Sequence, residues 1–153
     1  MAIQIKTLDQ LKTMRRAGLL VGQTLDLLRQ SIKVGMRTDA LDAIAAANIK
    51  RGGGTSNFLG YHGYPATICI SINDEIVHGI PGDRVIQDGD VVSIDCGAII
   101  DGWHGDAAFS VGVGSVDPAD QKMMDVCEES MWRGFAAAKL GGRLTDISHA
   151  VGS

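Results

Sequence analysis

Aromatic residues make up only 5% of this 153-residue chain, while glycine occurs 20 times. That combination points to many tight turns and close backbone approaches. The three cysteines, Cys69, Cys96 and Cys127, are odd in number and far apart, with no Cys-x-x-Cys pair. They exclude a disulfide framework and make a reducing cytoplasm the expected compartment. No run approaches the ~18 apolar residues of a membrane span. The opening Met1-Ala2-Ile3-Gln4-Ile5-Lys6 lacks the charged start and long apolar core of a signal peptide. Positive charge is not in excess either. A net charge of −4 argues against non-specific binding to nucleic acid. The glycine-rich Arg51-Gly52-Gly53-Gly54-Thr55-Ser56 has no following Gly-Lys-Ser/Thr and no preceding strand, so it is a poor phosphate cradle. Gly112-Val113-Gly114 lacks the third glycine of a dinucleotide fingerprint. No His-x-x-x-His pair is present.

What is there suits a globular domain with a real core: 45% hydrophobic and 21% charged residues. Thr7 suits the N-cap of a helix over Leu8 to Ile32, with Leu11, Met14, Val21, Leu25 and Leu28 as its apolar stripe. Thr38 suits the cap of a second helix, burying Leu41, Ile44, Ala45 and Ile49. Ala66 to Ile72 reads as a strand from its β-branched content, and Glu75 to Gly82 as a short strand ending in a Gly/Pro loop. Pro118 suits the first turn of a helix over Ala119 to Leu140, with Met123, Met124, Cys127, Met131, Phe135 and Ala138 as its buried side. Gly141-Gly142 stops it, and Thr145 opens a further short helix.

The stretch from Val91 to Val111 organises the rest. Two largely apolar arms flank Asp101-Gly102, a dipeptide suited to a type I′ hairpin turn, in which both central residues need positive φ. With that turn, Ile100 faces Trp103, Ile99 faces His104, Gly97 faces Asp106 and Asp95 faces Ala108. Asp95 and Asp106 then share one face as diagonal neighbours, roughly 7–8 Å apart. Two unpaired carboxylates on a buried face repel and resist ionisation. One divalent cation, or a pair, removes that objection; a surface hairpin with two solvated aspartates is the other reading.

Four histidines are present: His62, His78, His104 and His149. His104 lies on the aspartate face one pair nearer the turn, where a polar residue by a hairpin tip is the simpler account. His78 follows Ile76-Val77 and meets Gly79, where backbone can approach a ligand. A neutral imidazole can donate one hydrogen bond and accept another, which suits positioning or polarising a peptide group. His62, in an aromatic loop, can do similar work. Cys69 lies among isoleucines, where a thiol behaves as a small hydrophobe more often than as a nucleophile. Carboxylates with nearby histidines suit Mn²⁺, Fe²⁺, Co²⁺ or Zn²⁺, and metal pairs support hydrolytic chemistry. Two aspartates do not fill two coordination spheres.

Gly60-Tyr61-His62-Gly63-Tyr64-Pro65-Ala66, the segment Ser71 to Gly82, Ser93-Ile94-Asp95-Cys96-Gly97 and Asp101-Gly102-Trp103-His104-Gly105-Asp106 together resemble the type I methionine aminopeptidases, in order and spacing. The resemblance implies a pita-bread α/β (α+β) fold, with helices outside a curved antiparallel sheet, here as a single partial catalytic domain over 1–153, about the first half. It implies two divalent metal ions (Co, Mn, Fe or Zn) and removal of the initiator methionine, preferably before a small second residue. The partners it implies are nascent polypeptide N-termini, met at the ribosome, with no nucleic acid and no membrane. Asp95 and Asp106 match metal ligands, and Asp106 the bridging one. His78 matches the histidine that contacts substrate and stabilises the tetrahedral intermediate. Tyr61, Tyr64 and Cys69 match the pocket for the methionine side chain, and His62 a residue near the substrate's peptide. His104 matches no ligand.

The family's remaining ligands, a histidine and two glutamates, have no counterpart here. Little or no activity is therefore expected of this chain alone, with an exposed seam and self-association. A pita-bread module that only binds protein N-termini or a partner is the competing reading. Relatives of that kind tend to lose the metal aspartates, which this chain keeps. Dipeptide or creatine hydrolysis fits Tyr61–Pro65 and His78–Gly82 less well.

Overall fold

The computed structural model describes residues 3–153; Met1-Ala2, part of the segment weighed against a signal peptide, lies outside them. The chain forms two compact units, one ending at Ser115 and one over Val116–Ser153.

The first unit begins with α1 (Leu8–Ser31). Its start is a capping box: the Thr7 hydroxyl accepts from the Gln10 N–H, and the Gln10 side chain accepts from the Thr7 N–H. The buried stripe is Ala17, Leu20, Val21, Thr24, Leu25 and Leu28, while Leu11, at the helix start, is exposed. Helix α2 (Thr38–Arg51) follows, and here the expected cap is displaced by one residue. Arg37 is the N-cap residue, with no side-chain cap bond. The Thr38 hydroxyl is used elsewhere: it donates to the Gly82 carbonyl (3.1 Å) and accepts the Gly82 N–H (2.9 Å), pinning a distant loop.

Both helices cover one face of a four-stranded antiparallel sheet built from β1 (Thr55–Ser56), β2 (Ile68–Ile72), β3 (Val91–Ile100) and β4 (Trp103–Gly112). Strand β3 is central, paired with β1 and β2 on one side and β4 on the other. The core lies between helices and sheet, with Ile68, Ile70 and Ile72 of β2 and Val92, Ile94, Cys96 and Ala98 of β3 against Leu28, Leu41 and Ile49. Glycines set how closely the layers approach. A Cβ on Gly105 would stand 2.6 Å from backbone atoms of Ala17 and Gly18, so β4 can meet α1 only as glycine there. The glycine run after α2 has a packing role: a Cβ on Gly52 would lie 2.3 Å from Leu20 Cδ1.

The expected strand over Glu75 to Gly82 does not form. Val77 (φ 42°) and His78 (φ 56°) are both left-handed, which breaks any extended run. The segment is an irregular loop tied by side chains. Asn73 donates to Asp90 (2.9 Å) and accepts from the Val91 N–H (2.9 Å), while Glu75 accepts from the Ile72 N–H (2.8 Å) and from Arg84 (2.6 Å).

The second unit is a helix pair, α3 (Pro118–Ala137) and α4 (Leu144–Gly152). Asp117 caps α3 by accepting from the Ala119 N–H (2.7 Å), with Pro118 at the first helical position. The helix ends three residues before the expected Leu140, and Arg143 rather than Thr145 opens the next. Its expected buried stripe is not buried. Met123, Met131 and Phe135 are exposed, Cys127 likewise, and Gly134 alone on α3 is buried, where a Cβ would meet Val151. Periodicity shows an apolar face, and two helices can cover only the line along which they touch. Among the described residues no helix is long and apolar enough to cross a membrane.

Candidate metal and substrate site

The hairpin forms in the expected register. Asp101 (φ 49°) and Gly102 (φ 76°) both take positive φ, and the partners are Ile100 with Trp103, Ile99 with His104, Gly97 with Asp106 and Asp95 with Ala108. Strand β3 alternates, sending Val92, Ile94, Cys96 and Ala98 into the core and Ser93, Asp95 and Gly97 to the opposite face. Asp95 and Asp106 are therefore diagonal neighbours on the face turned away from α1 and α2. Burial first, and then the Asp106 carboxylate, push the Asp95 carboxyl above its ordinary value; the nearby His78 pulls the other way. Asp95 Oδ1 is buried with no hydrogen-bond partner. A carboxylate oxygen left bare beside a second carboxylate has the donor chemistry of a divalent-cation ligand. The fit covers two donors, because among the described residues no group of three or more His, Cys, Asp or Glu side chains is placed to hold a metal.

Asp95 opens into a cavity of about 280 Å³ that is also lined by Cys69, Ser71, Val77, His78 and Ser93. Of the residues singled out from the sequence, Asp95, His78 and Cys69 meet in this wall, and Asp106 adjoins it through Asp95. Burial raises the Cys69 thiol, with the Tyr64 hydroxyl acting in the opposite sense, so the thiol is neutral at physiological pH. Tyr64 sits behind the wall. Its hydroxyl lies 2.9 Å from the Gly79 carbonyl and 3.1 Å from the Ile68 carbonyl, and burial, then the adjoining Cys69, raise its pKa. Tyr61 and His62 are not brought to the cavity. They lie in a 3-10 turn (Tyr61–Gly63), exposed, with their rings edge to face at 4.3 Å. His104 is exposed and outside the lining. A larger hollow of about 510 Å³, beside Arg29, Lys33 and the end of β4, contains no acid, cysteine or histidine and offers no such chemistry.

Three neutral or distant side chains that sequence reasoning passed over also shape the site. Ser71 accepts the Gly79 N–H (3.1 Å). Asn57 donates to the Gly105 carbonyl (3.3 Å) and packs against Gly97, whose Cβ would otherwise be 2.4 Å from Asn57 Nδ2. Asp42 of α2 accepts the N–H groups of Thr67 (2.8 Å) and Ile68 (3.0 Å), fixing the start of β2. Only the parity of Ser71 with Cys69 signalled any of this.

Residues 12–153 match the model of metallopeptidase family M24. The chain belongs to that family. It is 48% identical over 147 residues to methionine aminopeptidase 1 of Mycobacterium tuberculosis, covering 95% of this chain and 55% of the relative. It is 47% identical over 146 residues to methionine aminopeptidase 1 of Bacillus subtilis, covering 95% of this chain and 59% of the relative. Among solved structures it is similar to methionine aminopeptidase from Rickettsia prowazekii, with a TM-score of 0.94 at 34% identity over 98% of this chain and 60% of the other. The M24 chain thus spans somewhat more than half the length of these relatives, and over that span it has the expected pita-bread architecture.

Proposed function

We propose that this M24 chain carries part of a methionine aminopeptidase site, one that removes the initiator methionine from nascent polypeptides in the cytoplasm, preferably before a small second residue. The observation that carries the reading is the juxtaposition of Asp95, its bare Oδ1, the adjoining Asp106 and His78 around one cavity. Asp95 and Asp106 would hold the metal, with Mn²⁺, Fe²⁺, Co²⁺ and Zn²⁺ all compatible with the donors. A pair of divalent cations would lower the pKa of water to supply a nucleophile and polarise the scissile carbonyl. The chain's own residues do the rest. His78, at the cavity wall, hydrogen-bonds the substrate's peptide group, and its imidazole can donate or accept as required. Cys69, neutral and buried, offers a soft apolar wall to a methionine side chain. Tyr64 backs that wall, while Tyr61 and His62, outside the lining, would meet substrate only on its approach. The substrate is an extended N-terminus, as it emerges at the ribosome.

Two carboxylates make a weak site, so the 153-residue chain by itself is expected to bind Mn²⁺ or Co²⁺ feebly and to turn over little or no Met-peptide. Isothermal titration with each metal beside a Met-peptide hydrolysis assay tests this. Metal binding abolished by Asp95→Asn and Asp106→Asn supports the assignment. Binding indifferent to both substitutions refutes it, and turnover matching a complete homologue refutes the expected inactivity.

A further inference from the structure

His78 stands on backbone that cannot hold itself. It and Val77 are successive left-handed residues, a strained backbone for side-chain-bearing residues. Their own side chains are exposed, so local packing does not repay that strain. The restraint lies one residue on, at Gly79. Its carbonyl accepts from the Ile70 N–H (2.9 Å) and lies 2.9 Å from the Tyr64 hydroxyl, while its N–H donates to Ser71 Oγ (3.1 Å). The backbone approach is tight: a Cβ on Gly79 would be 2.1 Å from the Ile70 carbonyl oxygen.

These anchors act on different peptide planes. The Gly79 carbonyl belongs to the plane after the Gly79 Cα, and a glycine Cα is a free joint. The Gly79 N–H belongs to the plane attached directly to the His78 Cα. Holding that plane holds the His78 Cα–C bond and restrains ψ of His78, which limits where the imidazole can be carried. Ser71 is the partner of that N–H, is only 5% exposed, and lines the same cavity as Asp95 and His78.

We propose that Ser71 is the positioning residue for His78, its hydroxyl locking the His78–Gly79 peptide so that the imidazole is held at the wall of the Asp95 cavity. The functional part of this claim rests on the reading of His78 as a substrate contact; the positioning itself does not.

The test uses the metal-free chain, which separates it from the hydrolysis assay. In Ser71→Ala, Gly79 amide exchange should quicken about tenfold or more, the equivalent of one hydrogen bond. The His78 imidazole NMR resonances should move toward those of a free histidine, while the rest of the spectrum stays folded. Ser71→Thr, which keeps the hydroxyl, should restore both. Tyr64→Phe, which touches only the next plane, should leave the His78 resonances in place. Unchanged Gly79 exchange and His78 resonances in Ser71→Ala overturn the proposal. So does an equal disturbance in Ser71→Thr. Should Ser71→Ala unfold, Ser71→Cys, with a thiol that accepts only weakly, repeats the reading: a selective shift at His78 and Gly79 supports the proposal, and unchanged resonances and exchange overturn it.

Discussion

Asp106→Asn should make the metal-free chain more stable at pH 7. In the parent, burial and the Asp106 carboxylate raise the Asp95 carboxyl, and Asp95 Oδ1 has no partner. A group whose folded pKa is raised holds its proton more tightly in the native state. Between the ordinary carboxylate value and the raised one, the native chain binds more protons than the unfolded chain, so stability falls as pH rises through that window. Once the pH has risen through that window, Asp95 has lost its proton and faces the Asp106 carboxylate. Unit charges 4 Å apart in a water-like dielectric repel by about 1 kcal/mol. Asp106 is exposed, so the gain on removing its charge is about 0.5–1 kcal/mol after solvent screening. With a urea slope of about 2 kcal/mol/M, that is a rise in midpoint of about 0.3–0.5 M. As the pH is lowered and Asp95 takes up its proton in the parent, the two curves should converge. Urea titrations with a chelator at pH 7 and at a series of lower pH values decide it. A midpoint that falls at pH 7, or a gain that does not shrink as the pH is lowered, refutes the electrostatic account. Adding Mn²⁺ should narrow or reverse the order, because only the parent keeps both donors and ligand binding to the folded state stabilises it.

Gly105→Ala should cost about 1–3 kcal/mol in chemical denaturation, since its Cβ would enter the backbone of Ala17 and Gly18 and drive α1 off β4. Gly18→Ala, with nothing within 4 Å of its Cβ, should be neutral or stabilising by up to about 1 kcal/mol through helix propensity; a reversed order would refute the close-approach reading. Among the cysteines, iodoacetamide at pH 8 should label exposed Cys127 first. Cys69 and Cys96 are buried, and burial lifts the Cys96 thiol to about 12, so both should react only on unfolding. Peptide mass spectrometry reads the order, and a Cys69 as fast as Cys127 would mean an accessible, activated thiol.

The hairpin was legible because one local constraint fixes everything after it. A two-residue turn with both φ positive sets the register, and the register alone places Asp95 and Asp106 on one face. The first helix was legible for a similar reason: its capping box and its stripe both lie within the segment. The failures share the opposite property. Ile76-Val77-His78 has the composition of a strand, but its conformation is set from outside, by Ser71, Ile70 and Tyr64 acting on Gly79. Thr38 looks like a cap because threonines cap helices, yet its hydroxyl is spent on Gly82, far away in sequence. The methionine-rich side of α3 has the period of a buried face, and period carries no information about what covers it.

Within the first unit the departures that cost stability are not scattered. Helix α1 starts at a capping box, the layer between helices and sheet is mainly apolar, and glycine stands where backbones meet. The violations gather on the other face. Asp95 buries a bare carboxylate oxygen, and two successive side-chain-bearing residues adopt left-handed backbone beside it. Each costs stability, and neither is offset by any contact of its own. A fold selected only to persist would replace Asp95 with an apolar residue and relax Val77-His78 to an extended run. The proposed site, which would present a carboxylate to a cation and an imidazole to a peptide, can do neither. The strain is therefore better evidence for what this face does than any motif on it, because it is the one feature that stability alone would remove.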